Sequence, residues 1–309
     1  MRMRTQGLIA APPTPFCADG GIDPTVVAPM ADHLRRQGVV GVFVNGTTGE
    51  GMSLSTGERE QMAAEWRRVL PAGIKLVVHA GHLAQEESKR LARHAQEIGA
   101  DAVAVMAPGF FKPAGVAGLV DWCAPIAAAA PALPFYFYHM PSMNGMNVGM
   151  TDFLWEAAGR IPNLAGIKFT HEAMDDYMTA LRLDGGRFDV LWGRDEMLLG
   201  ALAMGAEGGV GSTYNAIAPL YLKLIEAFRR GDWREARVLQ AQSIAFINSL
   251  VATGNFFAAL KAVMRSQGVP ITSVVRPPLM PVAEGILAKL EAPEAGRPRI
   301  DNHATEKQP

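Results

Sequence analysis

Residues 164–170 read Leu164-Ala-Gly-Ile-Lys-Phe-Thr170, an apolar run with one charge close to its end. A buried strand needs a reason to carry Lys168, because removing an amine from water disfavours its ammonium form. The ordinary reason is a strand-end lysine whose head reaches solvent. The chemical reason is a nucleophilic amine kept in an apolar site. Two other runs, Val42-Phe-Val-Asn-Gly-Thr-Thr-Gly-Glu-Gly51 and Phe135-Tyr-Phe-Tyr-His-Met-Pro-Ser142, also break from apolar into polar or glycine-rich residues. If all three are strands of one parallel sheet, their polar ends converge on one place. That convergence favours the chemical reason.

The same pattern extends through most of the chain. Short apolar runs at 8–11, 39–44, 75–80, 102–107, 135–139, 164–169, 189–192 and 208–211 alternate with helical stretches such as 56–70, 85–98, 116–130 and 196–204. Ser55 stands three residues before Glu58, the spacing of a capping box at a helix start. Continuous apolar strands are buried on both faces, so roughly eight βα units of about 25 residues predict a (β/α)8 TIM barrel. A doubly wound open sheet is the competing arrangement. After Tyr214 the strand signals stop, and 216–229, 233–252, 255–266 and 281–290 read as helices. The expected organisation is a barrel over 1–214 and a C-terminal helical appendage packed on it over 215–291. A tail over 292–309, rich in proline and charge, is expected to be disordered.

Composition narrows the class. With 49% hydrophobic residues among 309, the chain can bury a large core. Its 29 basic and 30 acidic residues nearly cancel, so nothing asks for nucleic acid or an anionic membrane surface as partner. No long apolar segment precedes Pro12 and Pro13, so no signal peptide is expected, and the longer apolar runs are too short to span a bilayer. Cys17 and Cys123 belong to no metal-spaced cluster, which points to a reducing compartment and a cytoplasmic protein.

In such a barrel the active site lies at the C-terminal ends of the strands. Strand two ends in Gly46-Thr-Thr-Gly-Glu50, where Thr47, Thr48 and free N–H groups suit a carboxylate or phosphate; a turn that satisfies itself is the alternative. Strand five ends in Tyr138-His139, a phenol that can relay a proton or simply pack. His139 points away from Tyr138 on an alternating strand and reads as structural. Strand six supplies Lys168 and Thr170 on one face. Strand seven ends in Gly193-Arg-Asp-Glu196, whose carboxylates at Asp195 and Glu196 can accept from a polyol or can serve a helix N-terminus. Strand eight ends in Gly211-Ser-Thr-Tyr-Asn215, with Ser212 first. His79 and His82 lack a nearby carboxylate, so no metal site is expected. The methionines at 140, 143 and 146 read as packing.

Val44-Asn-Gly-Thr-Thr-Gly-Glu-Gly-Met-Ser-Leu-Ser55, Gly166-Ile-Lys-Phe169, Asp195-Glu196 and Gly209-Val-Gly-Ser-Thr-Tyr-Asn215 together resemble the dihydrodipicolinate synthase and N-acetylneuraminate lyase superfamily of class I aldolases. The likeness covers nearly the whole chain, and the Asp-Glu pair and Gly-Ser-Thr-Tyr-Asn loop resemble its sialic-acid branch. The synthase branch resembles Pro-Ser-Arg-Thr-Gly after strand five; here the stretch is Pro141-Ser-Met-Asn-Gly145, so Met143 removes a charge and Asn144 replaces a hydroxyl. Phe110 and Phe111 stand where several members have a tyrosine reaching across a subunit contact.

The resemblance implies cleavage of N-acetylneuraminate to pyruvate and N-acetylmannosamine. Lys168 would form a Schiff base and Tyr138 would relay the proton. Thr47 and Thr48 would hold the carboxylate, while Thr170, Gly193, Asp195, Glu196 and Ser212 would orient the hydroxylated tail. It implies no metal or organic cofactor, a small 2-keto acid sugar as substrate, and a homotetramer. Two other functions remain open: another pyruvate-dependent aldolase, such as a 2-keto-3-deoxy sugar acid aldolase or a synthase-like enzyme, and a non-catalytic keto-acid or sialic-acid sensor.

Overall fold

Eight parallel strands pair in chain order and the last pairs with the first, so the sheet closes on itself as a TIM barrel. They are β1 (Gly7–Ala10), β2 (Gly41–Val44), β3 (Lys75–His79), β4 (Ala102–Met106), β5 (Phe135–His139), β6 (Leu164–Phe169), β7 (Asp189–Trp192) and β8 (Gly208–Gly211). Closure excludes the open sheet, because β1 is hydrogen-bonded on both edges. The computed structural model describes residues 4–290, 292 and 293; the rest of the 292–309 tail lies outside the described residues.

Between the strands run α1 (Val27–Gln37), α2 (Thr56–Val69), α3 (Gln85–Glu97), α4 (Gly115–Ala128), the single turn α5 (Pro141–Asn144), α6 (Met150–Ala158), α7 (Met174–Arg182) and α8 (Leu198–Met204). α9 (Tyr214–Arg229) follows β8 and packs on α1, α8 and β1, while α10 (Trp233–Val251) and α11 (Phe256–Ser266) pack on α9. The capping box at Ser55 is formed: Glu58 N donates to Ser55 Oγ at 3.3 Å and Ser55 N to Glu58 Oε2 at 2.9 Å. The helix expected over 281–290 shrinks to α12 (Glu284–Leu287). Ala283 is extended there and only Leu287 of that turn is buried, so no apolar stripe supports a longer helix. Among the described residues no single helix is long and apolar enough to cross a membrane.

Strand alternation sorts the side chains into two cores. Ile9, Phe43, Val77, Tyr138, Leu191 and Val210 fill the barrel, whereas Phe135, Phe137, Ile167, Phe169 and Trp192 join the larger core between sheet and helices. Burial on both faces is why these strands read as unbroken apolar runs rather than alternating ones. The register sets Tyr138 beside Lys168, and Lys168 beside Leu191. Gly166 makes the β6–β7 pairing possible, since a Cβ there would lie 1.8 Å from the Asp189 carbonyl oxygen.

Two glycines with opposite surroundings check this packing. Gly166→Ala should destabilise the protein by roughly 1–3 kcal/mol, because backbone must move to admit the methyl. Gly57→Ala, at an exposed position of α2 with nothing within 4 Å, should be neutral or stabilise by up to about 1 kcal/mol. Urea denaturation midpoints measure both; a Gly166→Ala protein as stable as wild type would mean the β6–β7 contact is not as close as described.

Candidate active site

The polar strand ends meet at the C-terminal face, as the barrel geometry requires. Lys168, on β6, is buried with 5% of its surface exposed. Its Nζ lies 4.0 Å from the centroid of the Tyr138 ring and 4.5 Å from that of Phe43. The negative faces of these rings favour a cation or a polarised N–H. The two rings meet edge-to-face at 5.5 Å, and the His79 ring lies 5.7 Å from that of Tyr138 and 6.0 Å from that of Phe43. The lysine therefore sits in an aromatic cage, not at a solvated strand end.

Tyr138 projects upward from β5, with its hydroxyl 3.2 Å from Thr47 Oγ1. The same hydroxyl donates to Met140 Sδ at 2.8 Å. Met140 is two residues beyond Tyr138 and shares its face, so alternation alone could have placed that sulfur in the site. Thr48 Oγ1 and Ser212 Oγ lie 2.6 Å apart, tying the loop after β2 to the loop after β8. Thr47, Thr48, Tyr138, Lys168 and Ser212 thus form one group across four strand ends.

Beyond β6 and β7 lies a second polar group. Thr170 is buried and its Oγ1 has no hydrogen-bond partner, although its N–H donates to the His139 carbonyl at 2.9 Å. An unpaired buried hydroxyl costs about 1–3 kcal/mol, which makes it a place for a ligand's polar atom. It presses on the Gly193 backbone, where a Cβ would lie 2.0 Å from the hydroxyl oxygen. Asp195 is buried against Gly211, and its Oδ2 accepts from Thr213 N at 2.8 Å and Thr213 Oγ1 at 2.6 Å. Burial pushes the Asp195 carboxyl up to about 6; the Thr213 hydrogen bonds and the Lys168 charge oppose that rise. Glu196 is half-buried, and its Oε1 accepts from Arg194 at 3.0 and 2.9 Å. Neither Thr213 nor Arg194 carried a signal in the sequence, because each acts through a carboxylate already singled out.

His139 lies outside the barrel against Phe169 and His171, at 5.0 and 5.5 Å between ring centroids. Burial lowers its pKa to about 4, so it is neutral at physiological pH. His79 is also held neutral by burial and by the Arg59 guanidinium. Among the described residues no group of three His, Cys, Asp or Glu side chains could hold a metal. Asn144 is buried, donating to the Ala107 carbonyl at 3.3 Å and accepting from Met146 N at 3.0 Å. It fixes its own loop, while Met143 beside it is exposed.

Two cavities flank this constellation. One of about 420 Å³ opens among the loops after β2, β3 and β4 and is lined by Thr47, His79 and Met106. The other, about 240 Å³, enters from the N-terminal ends of the strands and reaches the Lys168 side chain past Tyr136 and Asp189. The polar residues singled out above lie at the strand ends, so the C-terminal face is where a substrate would meet them.

Comparison with known proteins places the chain in a family. The model of the dihydrodipicolinate synthetase family matches residues 4–293. N-acetylneuraminate lyase of Mus musculus is 41% identical over 298 residues, covering 94% of this chain and 92% of the mouse protein. The solved N-acetylneuraminate lyase of Proteus mirabilis superposes with a TM-score of 0.90 at 41% identity, covering 93% of this chain and 96% of its own. A catalytic lysine mutant of the sialic acid aldolase of Ruminococcus gnavus superposes with a TM-score of 0.88 at 28% identity, covering 93% and 96%. With a family model spanning almost every described residue and relatives at this identity over nearly full length, the chain belongs to the dihydrodipicolinate synthetase family.

Proposed function

We propose that this protein is an N-acetylneuraminate lyase working through a Schiff base at Lys168. The observation that carries the reading is the buried Lys168 amine on the Tyr138 ring, with Thr47 Oγ1 3.2 Å from the Tyr138 hydroxyl at the C-terminal mouth. Thr47, Thr48 and nearby backbone N–H groups hold the carboxylate of the open-chain sugar acid. Lys168 Nζ attacks the adjacent ketone and water leaves as the imine forms. Tyr138 relays the proton of the C4 hydroxyl, its oxygen accepting that proton as its own phenol proton passes to the substrate carboxylate. The C3–C4 bond then breaks, its electron pair passing into the protonated imine. N-acetylmannosamine leaves as the aldehyde. The enamine takes a proton at C3, and water hydrolyses the resulting imine to release pyruvate and the free amine. The imine is the electron sink, so these steps call on no metal or organic cofactor.

The unpaired Thr170 hydroxyl, the Gly193 backbone, Asp195, Glu196 and Ser212 orient the polyol tail. Asp195 keeps its orientation through Thr213, and Glu196 through Arg194. Exposed Phe110 and Phe111 beside the larger cavity support a subunit contact there, within a homotetramer. Two free cysteines support a reducing, cytoplasmic setting.

Substrate choice tests the reading. Wild type should release pyruvate from N-acetylneuraminate with a higher kcat/KM than from a shorter 2-keto-3-deoxy acid. A charge-assisted hydrogen bond contributes roughly 1.5–3 kcal/mol, so Glu196→Gln should narrow that preference by about one to two orders of magnitude. Preference for the short acid in wild type would replace the lyase by a general sugar-acid aldolase. Tyr138→Phe should keep imine formation yet lower turnover by roughly 10²–10⁴-fold; undiminished turnover would make Tyr138 a packing residue. Asp195 adds a pH signature. With its pKa raised to about 6 it is protonated below that pH and loses acceptor capacity toward the tail. The kcat/KM for N-acetylneuraminate should therefore fall on the acid side of about pH 6, and Asp195→Asn should abolish that limb. An unchanged limb in Asp195→Asn would assign it to another group.

A further inference from the structure

The chain buries a second amine completely, and no step above uses it. The side chains of Lys261, in α11, and Glu50, after β2, are both 0% exposed and meet at 2.7 Å. Lys261 also donates to the Val274 carbonyl at 2.7 Å and lies 4.4 Å from the Phe16 ring centroid. The other Glu50 oxygen accepts from Arg276 N at 2.9 Å. The Arg276 guanidinium grips Glu58 with two hydrogen bonds of 2.8 and 2.5 Å, and Glu58 caps α2. Residues beyond the barrel thus hold the segment that follows Thr47 and Thr48 at two points.

Glu50 adopts φ 53 and ψ 31, the left-handed region that non-glycine residues seldom enter. Such a conformation persists only where its surroundings over-determine it. Here the surroundings are the ion pair on the side chain and a tight turn on the backbone, with Glu50 N donating to the Thr47 carbonyl at 3.0 Å. We propose that Lys261 is a positioning residue: its ion pair with Glu50 keeps the 46–51 loop wound, so that Thr47 and Thr48 stand where they meet the substrate carboxylate. This inference rests on the lyase reading above. A lone buried carboxylate is strongly unfavourable, so without Lys261 the Glu50 side chain turns toward water. The turn then relaxes, drawing Thr47 from Tyr138 and Thr48 from Ser212. Lys168 and Tyr138 are held by β6 and β5 and keep their places.

The test is borohydride trapping of the pyruvate imine on the full-length protein, read as a function of pyruvate concentration. Wild type comes first: if it traps no imine, the lyase reading fails rather than this inference. For Lys261→Met the half-saturating pyruvate concentration should rise by about 10-fold or more, equivalent to the loss of one good contact. The amount trapped at saturation should stay close to that of wild type. A merely structural role gives the reverse pattern, less protein trapped at an unchanged half-saturation, and that result overturns the proposal. If Lys261→Met does not fold, the double variant Glu50→Gln/Lys261→Met buries no lone charge and is titrated in the same way. A raised half-saturation supports the positioning role, and a wild-type value overturns it.

Discussion

A buried amine must find a partner for its charge or give up its proton, and the described residues bury two lysine amines in different company, one inside the barrel and one in α11. Lys261 rests against the Glu50 carboxylate at 2.7 Å, a pairing that fixes both groups. Lys168 rests on the faces of Tyr138 and Phe43, at 4.0 and 4.5 Å from their centroids. A ring quadrupole holds a cation more weakly than a carboxylate does, and it has no lone pair with which to bind the amine's protons. The interior that brings the rings to Lys168 follows from strand closure, since Phe43, Tyr138 and Leu191 all point inward from paired strands. The proposed chemistry therefore depends on a barrel packed with side chains that do not lock its one central amine.

The loops supply what the strands cannot. Thr47 and Thr48 reach the site only because the segment after β2 turns sharply through Asn45 and Glu50, both at positive φ. That turn is tied back through Glu50 to Lys261 and Arg276, and forward through Thr48 to Ser212. On the far side Asp195 is bonded to Thr213, which in turn meets the Tyr221 hydroxyl at 2.8 Å. Groups proposed to meet the sugar are thus oriented by residues that need not touch it, an arrangement that reduces the reorganisation required on binding.

Local patterns in the sequence announced a large part of this. The strands declared themselves as apolar runs bounded by glycine or polar residues, and β5 to β8 begin and end where those runs do. Ser55 and Glu58 announced the start of α2, and alternation put His139 outside the barrel, against Phe169 of the outer core. Contacts between distant segments left no such trace. Glu50 and Lys261 are 211 positions apart, and nothing near either residue marks the other as its partner. Thr213 and Arg194 act only through the Asp195 and Glu196 carboxylates, so their own positions carry no pattern that marks them. The 281–290 stretch had helical composition, but helices need an apolar face to dock, and only Leu287 within α12 is buried.

The central claim is that one buried lysine, caged by rings, is the carbonyl-reactive group. Reducing the protein with borohydride in the presence of pyruvate and mapping the modified peptide by mass spectrometry tests it directly. The account predicts a pyruvate-derived mass on the peptide that contains Lys168, absent from Lys168→Met. A label on Lys261, or turnover of N-acetylneuraminate retained by Lys168→Met, would contradict it.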